Sequence, residues 1–434
     1  MSFPRYPEYK DSRVEWLGEV PSGWESLALK RIVDRQRAIT YGIVQAGPHD
    51  PDGVPYIRPA DMGDERGIED PDDMLKTSPE IALSYARSTV RKGDLICSIG
   101  PSYGKVMVVP NDLDGANLTQ GTARIAVAGP NVARFYFWVL RSRSSVAQWE
   151  SSVSGATFRA LNLGPLAETI VTRPPSKEQQ VIAAFLDRET AKIDALVAEQ
   201  EMLIALLHEK RQAVISHAVT KGLDPNVPMK DSGVGWLGEV PAHWKVVQLK
   251  RAVMFQRGHD LPEESRSEGN IPVVSSAGVI GTHNAAQAKG PGIVTGRYGS
   301  IGRFTLMEED YWPLNTALYS IELYSNQPRY IWYLLQSTSE HFVLNSLKSA
   351  VPGVDRNDIH CVQVAVPARC EQEEIALFLD RQCSISHQLV KQVQAAIDLL
   401  QERRAALISA AVTGQIDVRH LNLTDASRDS AVCA

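Results

Sequence analysis

The chain has 434 residues, of which 44% are hydrophobic and 22% charged, and its formal net charge is −6 at pH 7. This length predicts more than one domain, and the composition is typical of a soluble globular protein. No apolar run approaches the ~20 residues of a membrane span, no apolar signal core lies near the first methionine, and the five cysteines form no CxxC pair. We therefore expect a cytoplasmic protein with no membrane association and no metal site of its own.

The first element along the chain is a tryptophan-containing entry segment that occurs twice. Residues 10–31 read KDSRVEWLGEVPSGWESLALKR, and residues 230–251 repeat them as KDSGVGWLGEVPAHWKVVQLKR with 14 of 22 positions identical. The chain therefore consists of two halves, each opened by the same segment.

A globular stretch follows each entry segment, at about residues 25–173 and 245–366. Short apolar runs bounded by Gly, Pro, Asn or Asp predict strands there, for example Val54–Ile57. Residues Phe135–Leu140 and Tyr330–Leu335 favour short helices. The sequence thus predicts a mixed α/β domain in each half.

A long helix closes each half. The run from Ser176 to Thr220 holds no Pro or Gly, and its apolar residues follow a seven-residue repeat, which predicts a helix that pairs with another helix. Ser176 and Gln179 form an S-x-x-Q capping box at its start. Residues 371–413 repeat residues 178–220 with 21 of 43 positions identical, so the two helices are expected to pack on each other.

These patterns predict five segments. Residues 1–173 form the first domain, 174–222 a central helix, 223–366 the second domain, 367–416 a distal helix and 417–434 a flexible tail. The tail is polar and shows no periodicity, which is typical of disorder.

Together these features resemble the specificity (S) subunits of Type I restriction–modification systems. The resemblance rests on the WLGEVPxxW…LKR entry segments and the EQxxIAxFLDR…ISxAVT helices, four segments in the right order over roughly residues 10–416. It implies that each α/β domain is a target recognition domain that reads one half of a split site in double-stranded DNA. It also implies that the two helices form an antiparallel coiled coil with a pseudo-twofold relation and set the spacing between the half-sites.

The resemblance further implies partners that carry the chemistry. Modification subunits, two in the simplest arrangement, would bind S-adenosylmethionine and methylate adenine, and restriction subunits would translocate and cut DNA with ATP and Mg²⁺. This chain would hold no cofactor. The sequence agrees in having no Asn-Pro-Pro-aromatic motif for amino-group methylation. The Gly100–Lys105 loop has three residues between its glycines, where a phosphate-binding loop has four.

We predict that polar side chains in the loops of the two domains contact DNA. Arginine matches guanine O6/N7, Asn and Gln match adenine, and Ser or Thr contacts base edges or phosphate. The candidates are Arg58, Ser102, Tyr103, Lys105, Asn117, Thr119 and Gln120 in the first half, and Ser275, Ser276, Arg297, Tyr298, Ser300, Arg303, Asn315 and Thr316 in the second. The alternatives are solvated loop residues, or turns whose polar side chains cap their own backbone.

The entry segments add a second kind of candidate. Lys30-Arg31 and Lys250-Arg251 recur in both copies, so they are expected to contact something independent of sequence, such as DNA phosphate. The alternative is a surface salt bridge to a long helix. The repeated tryptophans are expected to pack against the long helices instead of stacking on bases: Trp16, Trp24, Trp236 and Trp244.

Both domains are electrically neutral, with 17 basic and 17 acidic residues in 25–173 and 11 of each in 245–366. DNA binding therefore requires that the charges be segregated, and an isolated chain is expected to bind DNA weakly. One acidic run is expected to face away from phosphate: Asp61, Asp64, Glu65, Glu69, Asp70, Asp72 and Asp73.

The favoured function is thus a non-catalytic subunit that gives a restriction–modification complex its DNA sequence specificity. The competing hypothesis is a scaffold that does not bind DNA and carries two ligand-binding domains on a coiled coil. A stand-alone enzyme is disfavoured by the missing motifs.

Overall fold

A computed structural model describes residues 3–63, 65, 67–100, 102–129, 131–153, 160–297, 302–339 and 356–420. The chain divides into two compact units, residues 1–199 with 396–434, and residues 200–395. Each unit therefore takes one α/β domain and one half of each long helix.

The first unit is rich in short strands. These are β1 Tyr9–Asp11, β2 Glu19–Pro21, β3 Glu25–Ala28, β4 Thr40–Tyr41, β5 Val54–Ile57, β6 Lys76–Thr77, β7 Leu95–Ser98, β8 Val106–Val108, β9 Asn117–Leu118, β10 Thr122–Ile125 and β11 Ile170–Arg173. Its short helices are α1 Pro79–Ser84, α2 Ala133–Leu140, α3 Arg143–Val153 and α4 Leu163–Glu168, with 3₁₀ turns at Leu29–Arg31, Ala86–Ser88 and Asn111–Leu113. The first long helix is α5, Ser176–Lys221.

Two small sheets form the body of the first domain. The antiparallel sheet has the strand order β4-β10-β7-β8, and the second has the order β6-β5-β9 with β5 and β9 parallel. Two further antiparallel pairs, β1-β2 and β3-β11, lie in the same unit.

The second unit repeats this plan. Its strands are β12 Met229–Asp231, β13 Glu239–Pro241, β14 Lys245–Gln248, β15 Met254–Arg257, β16 Ile271–Ser275, β17 Gly278–His283, β18 Gly292–Gly296, β19 Phe304–Met307, β20 Trp312–Pro313, β21 Ala317–Glu322 and β22 Gln363–Val366. Its helices are α6 Pro328–Ser337, α7 Arg356–His360 and the second long helix α8 Arg369–Val412, with 3₁₀ turns at Leu249–Arg251 and Glu263–Ser265.

The sheets of the second unit have the same strand order as those of the first. Strands β15-β21-β18-β19 correspond to β4-β10-β7-β8, and β17-β16-β20 correspond to β6-β5-β9, again with a parallel pair, β16 and β20. The sequence repeat in the helices and entry segments therefore extends to the topology of the domains, whose sequences differ much more.

The core of each unit joins the domain to the long helices. In the first unit Trp24 and the buried face of α2 pack with Phe185 and Leu186 of α5 and with Ile408 and Ala411 of α8. The second unit uses Trp244 and α6, which pack with residues 215–219 of α5 and 375–379 of α8. Burying these aromatic and aliphatic side chains is the main favourable contribution to folding.

The long helices run antiparallel within each unit. In the first unit Leu186 of α5 shares a core with Ala411 of α8. Further along α5, Asp194 accepts a hydrogen bond from Nε of Arg404 (2.8 Å), and Arg404 precedes Ala411 in α8. The predicted mixed α/β class with two long antiparallel helices is thereby confirmed. The predicted apolar seam is buried at Ile182 and Leu186, whereas Leu196 is 45% exposed.

Repeated acidic residues anchor each domain to its helix. The carboxylate of Glu178 accepts from Trp24 Nε1 (3.2 Å), and that of Glu371 accepts from Trp244 Nε1 (3.0 Å). The predicted packing of these two tryptophans against the long helices is confirmed, whereas Trp16 is 41% exposed. The expected packing of Trp16 against a long helix is therefore wrong, because this side chain lies outside the aromatic core of the unit.

The predicted capping box is wrong. The Gln179 side chain accepts from the Val132 amide (2.8 Å) and donates to the Pro174 carbonyl (2.8 Å), so it ties the helix start to the domain. Gln372 does the same with the Gln327 amide (2.8 Å). The tertiary contact replaces the local one because Gln179 is buried, at 1% exposure.

The first four residues of the predicted flexible tail belong to the folded first unit. Asp417 and Val418 are 4% and 0% exposed, and the Asp417 amide donates to the Pro4 carbonyl (2.8 Å). Residues 417–420 are therefore part of the first unit, because Val418 fills its core. The rest of the predicted tail, residues 421–434, lies outside the described residues.

Within the described ranges, no helix has a stretch long and apolar enough to cross a lipid bilayer. In the same part of the chain, His, Cys, Asp and Glu side chains do not gather in the groups of three that could hold a metal ion.

Candidate nucleic-acid interface

Four loops of the first unit meet at one end of its two sheets. They follow β4, β5, β7 and β9, and we call residues 41–45, 58–61, 99–100, 102–105 and 119–121 the first loop edge. Backbone hydrogen bonds join them: the Gly42 amide donates to the Thr119 carbonyl (3.0 Å), and the Ile99 amide donates to the Gly121 carbonyl (2.8 Å). Loops on a rigid scaffold of this kind are where binding residues concentrate.

The second unit has the same arrangement. The second loop edge consists of residues 257–260, 275–277, 297, 302–303 and 314–316. The Gly258 amide donates to the Ala317 carbonyl (3.0 Å), and the Arg297 amide donates to the Thr316 carbonyl (3.2 Å). Each domain therefore presents one loop edge built on the same backbone frame.

A glycine is required at the same point of both edges. A Cβ on Gly42 would lie 1.9 Å from the Leu118 carbonyl oxygen, and one on Gly258 would lie 2.2 Å from that of Leu314. Any other residue would push the two loops apart, so these glycines hold the edge together.

Two cationic candidates of the first half are bonded to the protein itself. Arg58 Nε donates to Asp61 Oδ2 (3.0 Å), which raises the pKa of the Arg58 guanidinium, and the Arg58 amide donates to the same carboxylate (2.7 Å). Lys105 Nζ donates to the Met62 carbonyl (2.7 Å). Both side chains lie at the first loop edge, where they brace the loop after β5.

Asn117 was wrongly predicted to contact DNA. Its side chain is 1% exposed, donates through Nδ2 to the Ala82 carbonyl (3.1 Å), and accepts from the Leu118 amide (3.0 Å). The residue stands in β9 and its amide supports the neighbouring helix α1, so it cannot reach a ligand outside the domain.

The remaining candidates of the first half do come together. Ser102 and Gln120 are exposed, and Tyr103 and Thr119 are half-buried at the same edge. Thr119 Oγ1 donates to the Ile57 carbonyl (3.3 Å), whereas the backbone of Gln120 is fixed by its amide, which donates to the Ile43 carbonyl (3.0 Å). Gln120 is therefore an exposed amide on a fixed backbone.

In the second half the candidates also converge on one edge. Ser275 Oγ donates to the Gly278 carbonyl (3.2 Å) and accepts from the Ala277 amide (3.1 Å), so it supports a turn beside half-buried Ser276. Asn315 donates its side-chain amide to Asp260. Arg303 and Thr316 are exposed.

Two further candidates, Tyr298 and Ser300, lie outside the described residues, as does Asp64 of the acidic run.

The basic pairs of the entry segments lie elsewhere. The segment after Arg31 meets the far end of β10, since the Asp34 amide donates to the Ala126 carbonyl (2.9 Å). Lys30 and Arg31 therefore stand at the end of the sheet opposite the first loop edge. Lys250 and Arg251 precede β15 in the same way.

A basic cavity surrounds the first of these pairs. Its volume is about 920 Å³, and its lining includes Lys10, Lys30, Arg31, Arg35 and Arg173. Glu168, on α4, pairs with Lys30, and Glu25 pairs with Arg173. The salt-bridge partner of Lys30 therefore lies on a short helix and not on a long helix as expected. The positive charges of Arg31 and Arg35 in the same cavity suit the binding of a phosphate.

The acidic run is not turned away from the edge as a whole. Asp61 lies at the first loop edge because its carboxylate holds Arg58. Glu65 accepts from Arg141 (2.6 Å) and pairs with Arg404 of α8. These arginines offset the charges of both carboxylates, so neither is a bare anion.

Sequence reasoning missed the loop that follows β4 and β15. This loop brings Tyr41, Ile43 and Val44 to the first edge, and Arg257, His259 and Asp260 to the second. The sequence held one signal, since Gly42 and Gly258 each follow a copy of the repeated Lys-Arg pair.

The missed residues of the second edge line a polar cavity of about 590 Å³, together with Arg297 and Arg356. His259 Nε2 is hydrogen-bonded to the Tyr319 hydroxyl (3.1 Å). Burial raises the pKa of Tyr319, so this phenol stays protonated at neutral pH and holds the imidazole ring in place.

Comparisons with known proteins agree on one family. The model of the Type I restriction modification DNA specificity domain matches residues 21–203 and 241–399, which include both loop edges.

Two relatives are specificity subunits. The chain is 28% identical over 200 residues to the Type I restriction enzyme EcoBI specificity subunit of Escherichia coli, covering 46% of this chain and 42% of that one. It is 27% identical over 244 residues to the Type I restriction enzyme StySPI specificity subunit of Salmonella potsdam, covering 50% and 47%. The matched region thus spans just under half the length of these relatives.

A solved structure supports the fold. A chain from the study "Structural basis underlying complex assembly and conformational transition of the type I R-M system" aligns with a TM-score of 0.70 and 15% identity, over 91% of this chain and 98% of that one. Because the family model matches most of the sequence, in both halves and across both loop edges, this chain belongs to the family of Type I restriction–modification DNA specificity proteins.

Proposed function

We propose that this chain gives a Type I restriction–modification complex its DNA sequence specificity and performs no catalysis itself. The observation that carries the proposal is the pair of loop edges: one backbone frame occurs twice, and the exposed side chains differ between the two copies. Two recognition surfaces with different side chains in one chain suit a bipartite site in double-stranded DNA that has a different sequence in each half.

The division of contacts follows from their chemistry. The loop edges supply the polar side chains that recognise base edges in the major groove, whereas Arg31 and Arg251, which recur in both halves, contact phosphate. Phosphate contacts fix position and contribute affinity that falls with salt, and base contacts determine the sequence.

Partner subunits complete the proposed complex. Two modification subunits bind S-adenosylmethionine and methylate adenine, and restriction subunits use ATP and Mg²⁺ to translocate and cut the DNA. The long helices offer exposed apolar side chains for such docking, including Met202, Leu206 and Leu399, which are 66%, 54% and 66% exposed. The proposed DNA substrate implies a cytoplasmic complex.

The test uses the chain assembled with the modification subunits of its own restriction–modification system. Methylated adenines on genomic DNA, mapped by sequencing, should lie in a single two-part motif. The Gln120→Ala variant should relax one position of one half-site, by about 1–3 kcal/mol of discrimination, and leave the other half unchanged.

A matched variant separates recognition from folding. Asn117→Ala removes a buried amide from the same segment, so it should lower stability by about 1–3 kcal/mol without altering the motif. Methylation with no motif, or binding of the chain to a ligand other than DNA, would favour the scaffold hypothesis instead.

A further inference from the structure

Backbone hydrogen bonds fix which residues correspond between the two loop edges. The Gln120 amide donates to the Ile43 carbonyl (3.0 Å), and the Asn315 amide donates to the His259 carbonyl (3.0 Å). Gly42 and Gly258 make the same close approach to the facing loop. His259 therefore occupies the place of Ile43.

The neighbouring positions follow from this register. Arg257 precedes Gly258 as Tyr41 precedes Gly42, and Asp260 takes the place of Val44. On the adjacent loop Arg297 takes the place of Ile99, because both amides donate to the last residue of the facing turn, Thr316 and Gly121 respectively.

The chemistry of the two edges is opposite at these positions. In the first unit Ile43 and Ile99 are 1% and 6% exposed, so their apolar side chains are buried under the edge, and the exposed Val44 (49%) is apolar too. In the second unit the corresponding side chains line the polar cavity of about 590 Å³, with guanidinium groups from Arg257, Arg297 and Arg356. At these positions one frame therefore carries aliphatic side chains in the first copy and polar or charged side chains in the second.

Arg257 is positioned as a reader of bases. It is exposed at the end of β15, and its Nε donates to the Asn315 carbonyl (3.3 Å), which orients the plane of the guanidinium. Asn315 is itself held, since its side chain donates to Asp260 and its amide to the His259 carbonyl. The two terminal nitrogens of Arg257 form the fork that matches guanine O6 and N7.

We infer that the second loop edge reads a guanine through Arg257, and that the half-site read by the second unit therefore requires a G·C pair at that position. The first unit has Tyr41 there and places no such requirement on its own half-site. This inference rests on the proposed function and adds the identity of one base pair.

The experiment compares methylation motifs of the complete modification complex carrying the wild-type chain or the variants R257A, R257Q and R251A. R257A should relax one G·C position of one half-site, with a loss of preference of about 5- to 150-fold. R257Q should shift that position towards A·T, because the glutamine amide matches adenine. R251A, which removes a proposed phosphate contact, should lower methylation evenly at all sites.

The outcomes separate the inference from the function on which it rests. If the wild-type complex methylates a bipartite motif but R257A lowers methylation as evenly as R251A does, the base assignment is wrong and the proposed function stands. A relaxed position that is A·T in the wild-type motif also overturns the assignment. If the wild-type complex shows no sequence motif, both fall. Arg257 is exposed, so melting temperatures of the three variants within a few degrees of wild type confirm that the changes do not act through folding.

Discussion

Replacing Glu178 by alanine tests how the first domain is held on its helix. The carboxylate accepts hydrogen bonds from Trp24 Nε1 (3.2 Å) and from the Tyr6 hydroxyl, and these side chains are 1% and 7% exposed. Burial, followed by the hydrogen bond to Glu178, raises the pKa of Tyr6, so its hydroxyl is a donor throughout the neutral range. The substitution leaves two buried donors without an acceptor.

The magnitude follows from those two donors. Each buried polar group left without a partner costs about 1–3 kcal/mol, and some relaxation of Tyr6 towards solvent reduces the total, so we expect a loss of about 2–4 kcal/mol. Glu371→Ala removes the acceptor of one buried donor, the indole N–H of Trp244. It also removes a contact with His243, whose side chain is 52% exposed. We expect about 1–3 kcal/mol there, since an exposed pair contributes little.

Thermal unfolding measures the difference. At about 2–4 °C per kcal/mol for units of this size, Glu178→Ala should lower the melting temperature by about 4–16 °C. The control is Glu373→Ala, which breaks an exposed pair with Arg369 and should change stability by less than about 0.5 kcal/mol. Equal melting temperatures for the Glu178 and Glu373 variants would refute the anchoring role of Glu178.

Two further predictions concern the ends and the middle of the long helices. The hydrogen bond from Arg419 lowers the pKa of Asp417, so the pair stabilises the fold above the ordinary carboxyl pKa of about 4, and this contribution is lost as pH falls through the lowered value. Melting temperatures of Asp417→Asn should lie below wild type at pH 7, and the gap should close as the solution is made more acidic than the ordinary carboxyl pKa; a constant gap would contradict the assignment. Deleting residues 197–203 and 393–399 together shortens each helix by about 10 Å and preserves the heptad phase. The gap between the half-sites in the methylation motif should then change. An unchanged gap would refute a spacing role for the helices.

The amino-acid sequence by itself determined the parts of this protein that depend on local pattern. The internal repeat located the entry segments, and a stretch of 45 residues without Pro or Gly predicted a helix that the structure extends from Ser176 to Lys221. Runs such as Val54–Ile57 and Phe135–Leu140 became the expected strand and helix. These features were predictable because helix periodicity and turn residues act over a few neighbouring positions.

The candidate site was predictable only in part. Turn composition identified the loops at Gly100–Lys105 and around Gln120, and the structure brings them together at one edge. It did not distinguish the buried amide of Asn117 from the exposed amide of Gln120, three residues away. Burial of a side chain depends on which strands meet, and β9 lies between β5 and the helix that Asn117 supports.

Tertiary structure alone decided where the two domains differ in chemistry. Arg257 and Tyr41 share no sequence motif. Their equivalence follows only from the structure, in which the next residues, Gly258 and Gly42, each approach a carbonyl oxygen of the facing loop closely. The helices repeat in sequence because each must fit the same anchors, Trp24 or Trp244, in its own unit. Exposed loop side chains such as Gln120 and Arg257 are free of that constraint, so their roles depend on positions in space that no local pattern encodes.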